Sequence, residues 1–91
     1  MDVPEYIPIR FLRSAAILAE ELNYSRAAKK LELSVRELRE LVSTLENRLC
    51  FHIFHSRRGN VELTKEGTVF LRAFARFPKY SYRPNAHAKR P

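Results

Sequence analysis

The sequence predicts a mainly α domain with a three-helix core, a two-stranded β wing and a truncated fourth helix. Three observations carry this expectation. Apolar residues recur at helical spacing in blocks between Ile9 and Leu49. After Leu49 the period shortens to two. A basic loop with one glycine, Ser56-Arg57-Arg58-Gly59-Asn60, then separates two short apolar alternations. Ninety-one residues give room for one core and for no separate catalytic domain.

Helix one is expected at about residues 8–21. Pro8 suits a first helical position, where its missing N–H would be unpaired anyway. Ile9, Leu12, Ala16 and Ala19 form its stripe, widened by Phe11, Ala15, Leu18 and Leu22. Ser25 is the expected N-cap of a short second helix through Lys30, where adjacent Ala27 and Ala28 permit close helix approach. Leu31-Glu32-Leu33 then leads to Ser34 in a turn of helix-turn-helix length. Ser34 and Glu37 form an S-x-x-E capping box, with Leu33 and Leu38 at the staple positions. In helix three Leu38, Leu41, Val42, Leu45 and Leu49 face inward, and Arg36, Arg39, Glu40, Ser43 and Asn47 face outward.

Phe51, Ile53 and Phe54 then read as a strand, and Val61-Glu62-Leu63 as its partner, with Gly59 and Asn60 supplying the positive φ of the turn. Thr64 caps a fourth helix that turns Val69, Phe70, Ala73, Phe74 and Phe77 inward and stops at Pro78. The domain is therefore bounded at residues 1–77. Residues 78–91, with three prolines and no apolar period, are expected to be a basic flexible tail.

Composition narrows the function. A hydrophobic fraction of 45% with 30% charged residues is that of an ordinary soluble domain. There is neither an apolar run of membrane-spanning length nor a basic n-region of a signal peptide, so no membrane partner is expected. Cys50, the one cysteine, suits a reducing cytosol. The net charge of +7 is unevenly spread. Residues 72–91 hold six bases and no acid, leaving eleven bases against ten acids in residues 1–71. On charge alone the basic end fits either a polyanion partner or a solvated tail.

Cys50, His52 and His55 alternate beside the wing, but no fourth ligand has suitable spacing, so surface histidines and a thiol are expected there and no metal. No Ser/His/Asp set, phosphate loop or paired carboxylates occur at meaningful spacing, so neither enzyme activity nor a cofactor is expected. Three helices followed by a basic wing suit DNA instead. A helix with a polar leading face enters the major groove, where base edges carry a distinct donor–acceptor code. Arginine at a hairpin tip suits phosphates or the minor groove.

The residues add a family. Leu22-Asn23-Tyr24-Ser25-Arg26-Ala27-Ala28, Leu31-Glu32-Leu33-Ser34, Leu45-Glu46, Leu49, Phe54, Arg57-Arg58-Gly59, Val61, Leu63-Thr64 and Gly67 resemble the N-terminal domain of LysR-type transcriptional regulators. The pattern there runs approximately F-T-R-A-A, L-x-V-S, L-E-x-x-L-G, L-F, R-x-G and V-x-L-T-x-x-G, and the likeness extends over about residues 9–72. It implies a winged helix-turn-helix whose third helix reads DNA. It also implies base contacts near Val35, Arg36, Arg39 and Glu40, with Arg57 or Arg58 near the minor groove. Ser25, Ser34, Ser43 and Thr64 complete the expected DNA-binding set, Ser25 and Thr64 matching positions near the backbone or at helix starts.

Several positions depart from the pattern. Gln-Pro usually stands at Val35-Arg36, Ser-Arg at Arg39-Glu40, and Gly at Cys50. Valine meets a thymine methyl but makes no bidentate pair, and Glu40 suits only a cytosine amino group. Glu37 and Glu40 balance Arg36 and Arg39 on the leading face, which keeps a second reading open: an interaction module derived from a winged helix. LysR-type regulators continue into a long dimerising helix and an effector-binding domain. Here Pro78 ends helix four after about thirteen residues, roughly 20 Å at helical rise. The expectation is a short bacterial regulator without an effector domain, monomeric or weakly dimeric, cytoplasmic and bound to double-stranded DNA in the nucleoid.

Overall fold

The computed structural model describes residues 7–75. Its elements run α1 (Ile9–Glu21), α2 (Tyr24–Leu31), α3 (Val35–Leu49), β1 (Phe54–Arg57), β2 (Asn60–Leu63) and α4 (Lys65–Ala75). The three-helix core, the two-stranded wing and a helix after it are the expected mainly α architecture. Phe77, the Pro78 stop, the 78–91 tail and the side chain of Phe74 lie outside the described residues.

In α1 the buried face is Phe11, Leu12, Ala15, Ile17 and Leu18, while Ile9 and Leu22 remain exposed at its ends. Pro8 is the cap rather than the first helical residue, and its carbonyl accepts from Phe11 N at 3.0 Å. Ser14 is also buried, and its hydroxyl is satisfied by donating to Arg10 O at 2.8 Å. Ala27 and Ala28 are buried where α2 meets the core, as their size predicts.

The start of α2 corrects an expectation. Asn23, not Ser25, is the cap: its backbone is extended and its side-chain oxygen accepts from Arg26 N at 2.8 Å. The helix begins at Tyr24, and Ser25 lies exposed in its first turn. Both residue types cap well, and the half-buried Tyr24 ring decides between them by packing against the core as part of the helix.

For α3 the capping box is present in both directions, Ser34 Oγ accepting from Glu37 N at 3.0 Å and Glu37 Oε1 from Ser34 N at 2.8 Å. Leu38, Val42, Leu45 and Leu49 are buried, with Leu41 half-buried beside them. The helix ends at Cys50 in the left-handed region, φ 64°, whose N–H donates to Glu46 O at 2.8 Å. Leu22 and Glu32 end α1 and α2 in the same way without glycine.

The wing differs in detail from its expected form. Phe51 and Ile53 are buried or half-buried in a bend, and β1 starts only at Phe54. It pairs antiparallel with β2, Phe54 opposite Leu63 and Arg57 opposite Asn60. That register leaves Arg58 and Gly59 as a two-residue turn, both at positive φ (54° and 81°). Asn60, expected to supply a positive φ, is the first residue of β2 instead. Two successive positive φ values match the right-handed twist of the flanking strands.

Thr64 caps α4, its Oγ1 accepting from Gly67 N at 2.8 Å. Gly67 lies against the backbone of Ile53, where an added Cβ would come within 2.8 Å of Ile53 Cα. Phe70 meets Phe51 edge-on, ring centroids 5.7 Å apart. Val69 and Ala73 do not turn inward as their spacing predicts: Val69 is 67% exposed and Ala73 is exposed. The apolar stripe of α4 is wider than the surface it packs on.

Candidate nucleic-acid interface

The outer face of α3 begins at Ser34. Its Oγ lone pair is taken by the cap, which leaves the hydroxyl proton free to donate. Val35 is half-buried, whereas Arg36, Arg39, Glu40 and Ser43 are exposed. The two arginines are held differently. Arg36 Nε lies 3.8 Å from Glu40 Oε2, a loose pair whose side chains are 89% and 68% exposed. Such a pair contributes little and rearranges readily. The Arg39 guanidinium sits 4.2 Å from the centroid of the Tyr24 ring. Burial pushes the Tyr24 phenol above its ordinary range, Arg39 opposes that and Glu46 adds to it, so the ring stays neutral.

On α2, Ser25 is exposed, while Arg26 and Lys30 both pair with Glu21 at the end of α1, at 3.1 and 2.7 Å. These two cations lower the Glu21 carboxyl below its ordinary range, the Lys30 hydrogen bond first. Arg57 and Arg58 stand exposed at the wing tip. On the same hairpin His55 Nε2 lies 3.6 Å from Glu62 Oε1. Among the described residues no group of three metal-ligating side chains comes together, so Cys50, His52 and His55 form no such set.

One residue has a role that the sequence did not reveal. Glu46 Oε2 accepts from Ile53 N at 2.7 Å and Phe54 N at 3.0 Å, tying the end of α3 to the root of the wing. These bonds span seven and eight residues, beyond any local capping pattern. Only the Leu45-Glu46 dipeptide marks the place. Thr64 was expected among the DNA-contacting residues, yet its hydroxyl is engaged within the fold. It donates towards His52 O at 2.5 Å while accepting from Gly67 N. Of the expected set, the structure gathers Val35, Arg36, Arg39, Glu40 and Ser43 on one helix and Arg57 with Arg58 on the wing.

A helix-turn-helix followed by an arginine-tipped hairpin defines a winged helix-turn-helix domain. Residues 9–68 match the model of the bacterial regulatory helix-turn-helix protein, lysR family, and the chain belongs to that family. It is 38% identical over 63 residues to the HTH-type transcriptional regulator ShiR of Corynebacterium glutamicum (strain R), covering 69% of this chain. The chain spans about a fifth (21%) of the length of that curated relative. Two solved structures resemble the fold closely. One is the BenM DNA-binding domain in complex with benA site 1 DNA, with a TM-score of 0.73 and 26% identity over 80% of this chain and 82% of that one. The other is the CbnR DNA-binding domain with DNA, with a TM-score of 0.74 and 27% identity over 80% and 84%. The matching family is one of transcriptional regulators and not of enzymes. No helix of the described residues is long and apolar enough to cross a membrane.

Proposed function

We propose that the domain binds double-stranded DNA as a transcriptional regulator, with α3 in the major groove and the Arg57-Arg58 wing on phosphates or the minor groove. The observation that carries this reading is the shared fold with domains captured on DNA, joined to an exposed, capped leading face on α3. Arg36 and Arg39 contact base edges, Val35 meets a thymine methyl, and Glu40 accepts from a cytosine amino group once Arg36 leaves it. Ser25, Ser34 and Ser43 donate to phosphates, which position without specifying. The unit is monomeric or weakly dimeric and acts on the nucleoid. Titrating wild type and Arg36→Ala against a preferred and a scrambled duplex at several salt concentrations tests the proposal. Arg36→Ala is expected to weaken the preferred site about tenfold and the scrambled one far less.

The loose Arg36–Glu40 pair leaves the leading face near neutral, which favours a second reading as an interaction module with weak DNA binding. Absence of salt-sensitive duplex binding by the wild-type chain would leave that reading standing alone.

A further inference from the structure

We infer that Tyr24 is a positioning residue, whose ring holds the Arg39 guanidinium ready for a guanine edge, so that Arg39 rather than Arg36 makes the pre-set base contact. This rests on the DNA-binding reading and deepens it. The two arginines share one helix face but not one state. Arg36 reaches solvent on a long, exposed side chain, and its nearest acid is 3.8 Å away. Docking must freeze that chain, at an entropic cost. Arg39 is exposed too, yet its guanidinium already lies 4.2 Å from the Tyr24 centroid. It makes no ion pair with a carboxylate among the described residues.

The platform is fixed as well. Tyr24 opens α2, follows the Asn23 cap and packs half-buried against the core. A guanidinium stacked flat on a ring keeps its in-plane N–H donors for a second partner. Those donors match the O6 and N7 acceptors of guanine in the major groove. Preorganisation of this kind strengthens binding by lowering the cost of ordering rather than by adding a contact.

The test uses the full chain, a duplex it selects from a random pool, and a scrambled duplex. Tyr24→Phe keeps the ring and is expected to bind like wild type. Tyr24→Leu is expected to weaken the selected duplex roughly threefold to tenfold and the scrambled duplex less than twofold. Arg39→Ala lowers the same preference, and in that background Tyr24→Leu has no further effect on it. The free protein gives an independent readout by NMR: ring-current-shifted Arg39 side-chain protons, kept in Tyr24→Phe and lost in Tyr24→Leu. Should Tyr24→Leu lose affinity equally on both duplexes, or lower preference further when Arg39 is already alanine, the inference is overturned while DNA binding stands. A wild-type chain that binds no duplex removes both, even with the shifted protons present.

Discussion

The two ends of α3 are secured by different means. At its start everything is local: Ser34 and Glu37 exchange hydrogen bonds across three residues, both exposed to solvent. At its end the backbone turns left-handed at Cys50 without glycine, and Glu46 reaches forward to the N–H groups of Ile53 and Phe54. The first arrangement sets where the helix begins. The second sets where the wing stands relative to it. A local cap stabilises a helix modestly, whereas a largely buried carboxylate that satisfies two buried N–H groups holds two elements in register.

Breaking that contrast should therefore give unequal effects. Glu46→Ala leaves the donors of two buried residues without an acceptor, and should destabilise the domain by about 2–3 kcal/mol. For a domain of this size that is a fall in thermal midpoint of roughly 10 °C or more. A midpoint within a degree or two of wild type would mean that the wing is held by its apolar contacts alone. The local caps come next. Ser34→Ala and Asn23→Ala should each destabilise by about 1 kcal/mol, whereas Ser25→Ala should stay within about 0.5 kcal/mol. Equal losses at Asn23 and Ser25 in chemical denaturation would contradict the assignment of the α2 cap. The smallest effect is expected at Cys50, where glycine adopts the left-handed conformation without a Cβ penalty. Cys50→Gly should stabilise by about 0.5 kcal/mol, and a loss of stability would show that the Cys50 side chain packs more usefully than its exposure indicates.

What could be read in advance follows the same division. The Ser34 box and the Thr64 cap were legible because each is written within four consecutive residues, and the helix-turn-helix because only three residues, Glu32 to Ser34, separate two stretches of helical period. The α2 cap was misplaced by two residues because Asn23 and Ser25 are both competent, and the choice falls to the packing of Tyr24. The wing turn was expected to draw on Asn60, but strand register assigns positive φ to Arg58 and Gly59. Register is a pairing property that neither strand carries alone. Glu46 and the Tyr24–Arg39 contact escaped for a related reason: their partners lie seven to fifteen residues away, and only the folded turn between helices brings them together. Val69 and Ala73 show the opposite failure. Helical period places them beside Phe70, but a period says which residues share a face and not whether anything covers it.

The junction at Thr64 has a mechanical consequence. Thr64 N donates to Ile53 O at 2.9 Å, its hydroxyl faces His52 O, and Gly67 seats the first turn of α4 directly on the Ile53 backbone. Glu46 grips the N–H of the same Ile53 from the other side. One residue is thus the fulcrum between α4 and α3. A torque on α4 therefore reaches Ile53 directly through backbone contacts, beside the softer edge-on contact of Phe70 with Phe51. Glu46 links Ile53 to the C-terminal end of α3, the helix whose opposite end carries Arg36 and Arg39.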